Sequence, residues 1–276
     1  MLNKAFIACS TFLIGCSGLK SYNSTDTGLN ENDRRTGDED GVESSDDADD
    51  PESIQYPSDT QSSILLYTGH GGAVSRGPTG RGGFNVISDH WSGLGWTTDV
   101  LETFPETSAL GEYRMVGLMA PGFSDTVAFT ELDIIKLESL IQAGTRVVVF
   151  AEENACDNPH LNTLLAALDV SIRFTGEGMG LNSIVYDAEI TENQQLTHEV
   201  NAIRFTDPCY LDASDATVLA SRRHGDQNRV FMAVERPGQA GDVVVMGDFQ
   251  ILDDSGVLLQ ENNLTLSENL ASVLPE

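Results

Sequence analysis

Five residues, Arg146-Val-Val-Val-Phe150, constrain the fold of this chain more than any other stretch. A run without alternation suits a strand covered on both faces, the central position of a mostly parallel sheet. Directly before it, Glu131 to Ala143 carries Leu132, Ile135, Leu140 and Ile141 as an apolar stripe. Thr130 is placed to cap that helix, Asp133 to favour its dipole, and Gly144 to end it. A helix feeding a doubly covered strand is half of a βαβ unit, so the expectation is α/β architecture with helices on both faces.

The rest of the chain from Ser62 onward fits that frame. Ser63 to Tyr67, Trp96 to Leu101 and Tyr113 to Met119 read as strands, with a helix from about Asn85 to Leu94. Asn158-Pro159 opens a further helix through Leu161, Leu164, Leu165 and Leu168, with proline at the first helical position. Short strands are expected near Val170 to Phe174 and Ser183 to Tyr186. Val230 to Val234 and Asp242 to Met246 read as a hairpin across Glu235 to Gly241, and a terminal helix runs from about Asn262 to Val273.

The first fifteen residues differ in kind. A basic start at Lys4 and an apolar run from Ala5 to Gly15 have the layout of an export signal and are too short to span a bilayer. Leu13-Ile14-Gly15-Cys16 resembles the lipobox of bacterial lipoproteins, in which the cysteine is acylated and becomes the new N-terminus. The resemblance implies membrane lipid as a partner through Cys16, and Ser17, where aspartate would favour inner-membrane retention, implies the outer membrane. The alternatives are an ordinary signal peptide with an incidental cysteine, or a buried apolar strand.

From residue 16 to 61 the chain is polar. Between Gly18 and Thr60 stand 13 acidic residues against Lys20, Arg34 and Arg35. That stretch lacks the apolar surface to offset the entropy of ordering and is expected to be an extended leash. Its acidic run lacks the spaced loop of a calcium site. The 62–276 domain is acidic as well, which argues against nucleic acid as a partner.

Cys156 and Cys209 are left as a pair in an exported domain, where a disulfide is the simplest account; two buried thiols or a catalytic Cys156 are the alternatives. His70-Gly71-Gly72, in a glycine-rich stretch with Arg76 and Arg81, could contact an anionic ligand through backbone amides or be a rim loop. It satisfies neither the dinucleotide nor the phosphate-loop spacing. Glu152, Glu153, Asp157 and His160 follow the central strand, where open α/β sheets place their ligands, yet match no metal spacing. Asp157-Asn158 is equally explained by helix capping. His198, His224 and Asp248 could form part of a triad or hold surface and capping roles.

The string from Phe129 to Phe150 resembles an element of class I glutamine-amidotransferase-like domains. Ser63 to Gly72, Leu161 to Leu168 and Val243 to Asp248 are similar to the non-enzymatic branch of gliding-associated and intraflagellar-transport proteins. The resemblance covers most of Ser63 to Leu274 and implies a flavodoxin-like sheet with a site at the C-terminal strand ends. Catalytic relatives carry a cysteine on a Gly-x-Cys-x-Gly turn after the strand that here ends at Phe150. This chain has Ala151-Glu152-Glu153-Asn154, without the thiol and without the flanking glycines. The expectation is a non-catalytic binding or assembly domain, without cofactor or metal, contacting an envelope protein or small polymer. An exported hydrolase or transferase is the alternative.

Overall fold

The computed structural model describes residues 62–72, 83–122, 127–152, 156–180, 183–191, 195–238 and 241–272. The signal, Cys16, the acidic stretch to residue 61, Arg76, Arg81 and Glu153 lie outside the described residues.

Five strands form a parallel core. They are β1 (Ser63–Tyr67), β2 (Thr97–Leu101), β3 (Tyr113–Leu118), β4 (Arg146–Phe150) and β12 (Val243–Met246), in the spatial order β2-β1-β3-β4-β12. That order reverses direction at β1, the arrangement of a doubly wound sheet of the flavodoxin type. Beyond β12 the sheet continues antiparallel through β11 (Gln227–Glu235), β10 (Thr217–His224) and β7 (Glu189–Ile190). A branch leaves β11 through β9 (Cys209–Asp212) to β5 (Arg173–Gly178), while β6 (Ile184–Val185) and β8 (Phe205–Thr206) pair separately.

Successive side chains of the inner parallel strands enter opposite cores, which is why β1, β4 and β12 are almost wholly apolar, whereas the edge strand β2 carries Thr97, Thr98 and Asp99. Ile64, Leu66, Met115, Val148, Phe150 and Val244 pack with Trp91 of α1 (Asn85–Gly93) and with Leu266 and Leu270 of α6 (Glu261–Ala271). Leu65, Val116, Val147, Val149 and Val245 pack with Leu137, Leu140 and Ile141 of α3 (Glu131–Gln142) and with Leu161, Leu164 and Leu165 of α4 (Pro159–Ala167).

The helix ends follow the sequence. Thr130 and Asp133 form a reciprocal capping box on α3, and Asn158 caps α4 by accepting from the His160 amide at 3.0 Å. The expected stripe of α3 needs correction. Leu132 and Ile135 are exposed, and the buried positions are Leu137, Leu140 and Ile141, with Ile134 packed beside them. Two short helices, α2 (Thr107–Leu110) and α5 (Asp254–Leu259), and the hairpin of β10 with β11 were not anticipated. The strand expected to end at Phe174 begins at Arg173 and runs on to Gly178.

Candidate functional site at the strand ends

The C-terminal ends of β1 and β3 flank the point where strand order reverses, and both following loops bend sharply there. His70 and Ala120 hold left-handed backbone conformations, with φ of 56° and 45°. The Gly122 amide donates to the His70 carbonyl at 2.8 Å, joining one loop to the other. Gly72 packs so tightly that an added Cβ would lie 2.8 Å from the Met119 carbonyl oxygen. Gly71 continues the same turn.

The His70 ring points into the protein. Its Nδ1 shares a hydrogen bond with the Tyr67 hydroxyl at 2.8 Å, its Nε2 lies 3.4 Å from Asp133 Oδ2, and its face stacks on Phe129 at 4.2 Å. Asp133 also accepts from the amide and hydroxyl of Thr130 at 2.9 and 2.6 Å, so one carboxylate caps α3 and braces the histidine. Tyr67 stacks on Phe104 at 4.0 Å, and burial, then the charge of Asp133, pushes its hydroxyl well above the ordinary tyrosine range. Tyrosine, histidine and aspartate stand in relay order, but a buried phenol held this strongly protonated is a poor nucleophile.

At the ends of β4 and β12 the polar groups are buried too. Gln250 donates its side-chain amide to Glu152 Oε1 at 2.7 Å. Asp248 is fully buried; its two oxygens accept from the amides of Thr206 and Gln250. Burial raises the Asp248 carboxyl well above the usual range, the charge of Glu152 adds to this, the two amides oppose it, and Asp253 adds a smaller push. Asp253 caps α5 through the Gly256 amide at 2.7 Å.

A disulfide joins Cys156 to Cys209 across 53 residues, with Cα atoms 5.3 Å apart. It ties the segment ahead of α4 to β9, whose Cys209 amide donates to the Gly247 carbonyl at 2.8 Å. The Phe249 amide donates to the Ala151 carbonyl at 3.0 Å, so the loops after β4 and β12 are stitched together as well.

The other candidates separate. Asp157 is exposed ahead of α4, His160 is half-buried in its first turn, and Glu152 faces inward. Among the described residues no group of three histidine, cysteine, aspartate or glutamate side chains is placed to hold a metal ion. His198 is exposed beside Glu199, His224 ends β10 at an exposed turn, and Asp248 is buried, with no hydrogen bond joining the three. Asp133, Tyr67 and Gln250 were not singled out as site residues; Asp133 stood in view only as a cap. A cavity of about 260 Å³ opens instead beside the N-terminal end of β12, lined by Asp215, Thr217, Glu235, Arg236 and Asp242 among others.

Among solved structures, the mmIFT52 N-terminal domain is similar to this chain with a TM-score of 0.58 and 16% identity, over 74% of this chain and 94% of that one. The fold is flavodoxin-like α/β. This agrees with what the resemblance to class I glutamine-amidotransferase-like domains implied. Two looser similarities are a ThuA-like protein from Bacteroides uniformis and the exo-β-1,4-mannosidase Op5Man5 from an Opitutaceae bacterium. The first has a TM-score of 0.42 and 14% identity, over 77% of this chain and 90% of that one. The second has a TM-score of 0.46 and 13% identity, over 79% of this chain but 36% of that one. No family model matches the chain, and no curated protein matches it significantly in sequence.

Proposed function

We propose that this chain is a membrane-tethered, non-catalytic α/β domain that binds or assembles with another component of the cell envelope, an envelope protein or a small polymer. Acyl chains on Cys16 supply the tether, and the acidic stretch from residue 16 to 61 spaces the domain from the lipid. The carrying observation is that the groups a strand-end active site would use are engaged by the protein itself. His70 has a partner at each ring nitrogen, and Glu152 is buried against Gln250. Support for the tether comes from Leu13-Ile14-Gly15-Cys16; no helix among the described residues is long and apolar enough to cross a membrane. Several buried acyl chains make attachment durable at about 0.8 kcal/mol per methylene.

One observation favours a second reading, an exported hydrolase or transferase working at the same face. His70 and Ala120 hold left-handed conformations on both sides of the switch point, and such strain gathers at active sites. A broad screen of ester, glycoside and acyl-transfer substrates on the soluble 62–276 domain separates the two. The non-catalytic reading expects no turnover that depends on the strand-end residues. Turnover abolished by His70→Ala or Glu153→Gln, with the fold intact by circular dichroism, contradicts it.

A further inference from the structure

The N-terminal ends of the central strands, opposite the face just described, gather buried arginines in a domain whose charge is strongly negative. Arg146 opens β4 and is nearly fully paired. Its Nη1 donates to the carbonyls of Asn269, Leu270 and Ser272 where α6 ends, at 2.7 to 2.8 Å, and its Nη2 lies 3.3 Å from Asp242 Oδ2. The other oxygen of Asp242 accepts from Arg236 Nε at 2.8 Å, so this carboxylate already serves two guanidinium groups.

Arg114 has no such provision. It sits in β3 where the register with β1 shifts, Ser63 pairing with Tyr113 and Ile64 with Met115, which leaves Arg114 as the extra residue. It is 3% exposed, and its guanidinium carbon lies 4.6 Å over the Trp96 ring, so one face is covered by an aromatic. Its Nε and Nη2 are both buried without a hydrogen-bond partner. Those two nitrogens share one edge of the guanidinium, the edge that grips two oxygens of a planar carboxylate or a phosphate side-on. Burial and the neighbouring charge of Arg146 pull its pKa down to about 10, so the group stays charged at neutral pH and needs a counter-charge.

We propose that the Nε/Nη2 edge of Arg114 is an oxyanion-binding site, taking the carboxylate or phosphate-type group of an anionic ligand as a bidentate pair, with Trp96 stacked behind it. The chemistry admits two sources: a free anion, or a carboxylate from this chain beyond Ser272, where Glu276 stands four residues on. The site is independent of the strand-end face and of the tether.

Thermal unfolding of the full chain, with sodium phosphate or sodium acetate titrated against sodium chloride at matched ionic strength, is the first arm of the test. For a free ligand, Tm rises by about 5–10 °C at a concentration roughly a hundredfold above Kd. Arg114→Met abolishes the rise, and Arg114→Lys, which keeps the charge without the fork, cuts it sharply. The second arm uses a chain ended after Ser272. If the chain supplies its own carboxylate, the full chain ignores added anions, the shortened chain melts lower, and phosphate or acetate restores it only while Arg114 is present. Either pattern upholds the site and identifies the source. Full and shortened chains both indifferent to phosphate and acetate, with Arg114→Lys melting no differently from wild type in either, would overturn it. If Arg114→Met fails to fold, Arg114→Lys carries the comparison alone.

Discussion

Asp248 and Glu152 share one buried neighbourhood at the strand ends, and their charges oppose each other. Because the folded protein raises the Asp248 carboxyl above its unfolded value, ionising it works against folding. Its contribution to stability is complete below the unfolded pKa of about 3.9 and declines as pH climbs through the folded value. Asp248→Asn removes that dependence but offers one acceptor to two backbone amides, leaving an N–H unmet at a cost of about 1–3 kcal/mol. The variant is therefore expected to be less stable than wild type at pH 4, with the gap narrowing toward pH 8 in denaturant titrations. Glu152 and Asp253, which face the same carboxyl, remain in place in both proteins, so a gap that stays constant or widens contradicts the assignment. Asp248 was visible in the sequence as the end of Val243 to Asp248 and as a triad candidate with His198 and His224, but not as a buried group, because burial of a carboxyl is decided by the loops that close over it. His70 is the converse case. Its position after the first strand marked it as a contact residue, but its engagement by Tyr67, Asp133 and Phe129 depends on how α3 docks, which no local pattern encodes.

The helix that feeds the central strand shows where periodicity succeeds and where it slips. Thr130, Asp133 and Gly144 placed the ends of α3, since caps are local chemistry; Gly144 holds a φ of 89°. The choice of buried face was misread. Leu132, Ile135, Leu140 and Ile141 suggested one stripe, yet the sheet receives Leu137, Leu140 and Ile141, leaving Leu132 and Ile135 to solvent. In thermal or denaturant unfolding, Leu132→Ser and Ile135→Ser should each change stability by less than about 0.5 kcal/mol. Leu140→Ala should cost about 2–5 kcal/mol through the cavity it leaves. The opposite ranking would mean that α3 packs with the other face inward. The hairpin of β10 and β11 escaped notice because its outer half is polar, from Arg222 through Asn228, and its two-residue turn Gly225-Asp226 was the one clear signal. The short helices α2 and α5 lack the length over which a stripe can be read.

At the scale of the molecule, the apolar runs of the inner strands and the helices between them made the doubly wound sheet legible, with its two cores divided by side-chain alternation. The rule that ligands meet such sheets at the carboxyl ends of strands directed attention to one edge. The cavity and the unpaired guanidinium of Arg114 lie along the opposite one, where Arg114, Arg146 and Asp242 come together only in three dimensions. The Cys156–Cys209 bridge, which the residue count suggested, closes a loop of 53 residues and stabilises the fold by about 4 kcal/mol in the chain-entropy account. It suits a domain that works outside the reducing interior of a cell.

The proposed tether at Cys16 is the claim on which the setting of this fold depends, and growth with a radiolabelled or clickable fatty acid measures it most directly. The account predicts that the wild-type chain takes up label, with a mature N-terminus at Cys16, and partitions with membranes. Cys16→Ser should lose both the label and the membrane association while its domain stays folded. A wild-type chain that carries no acyl label, or whose first mature residue is an unmodified one beyond Cys16, contradicts it.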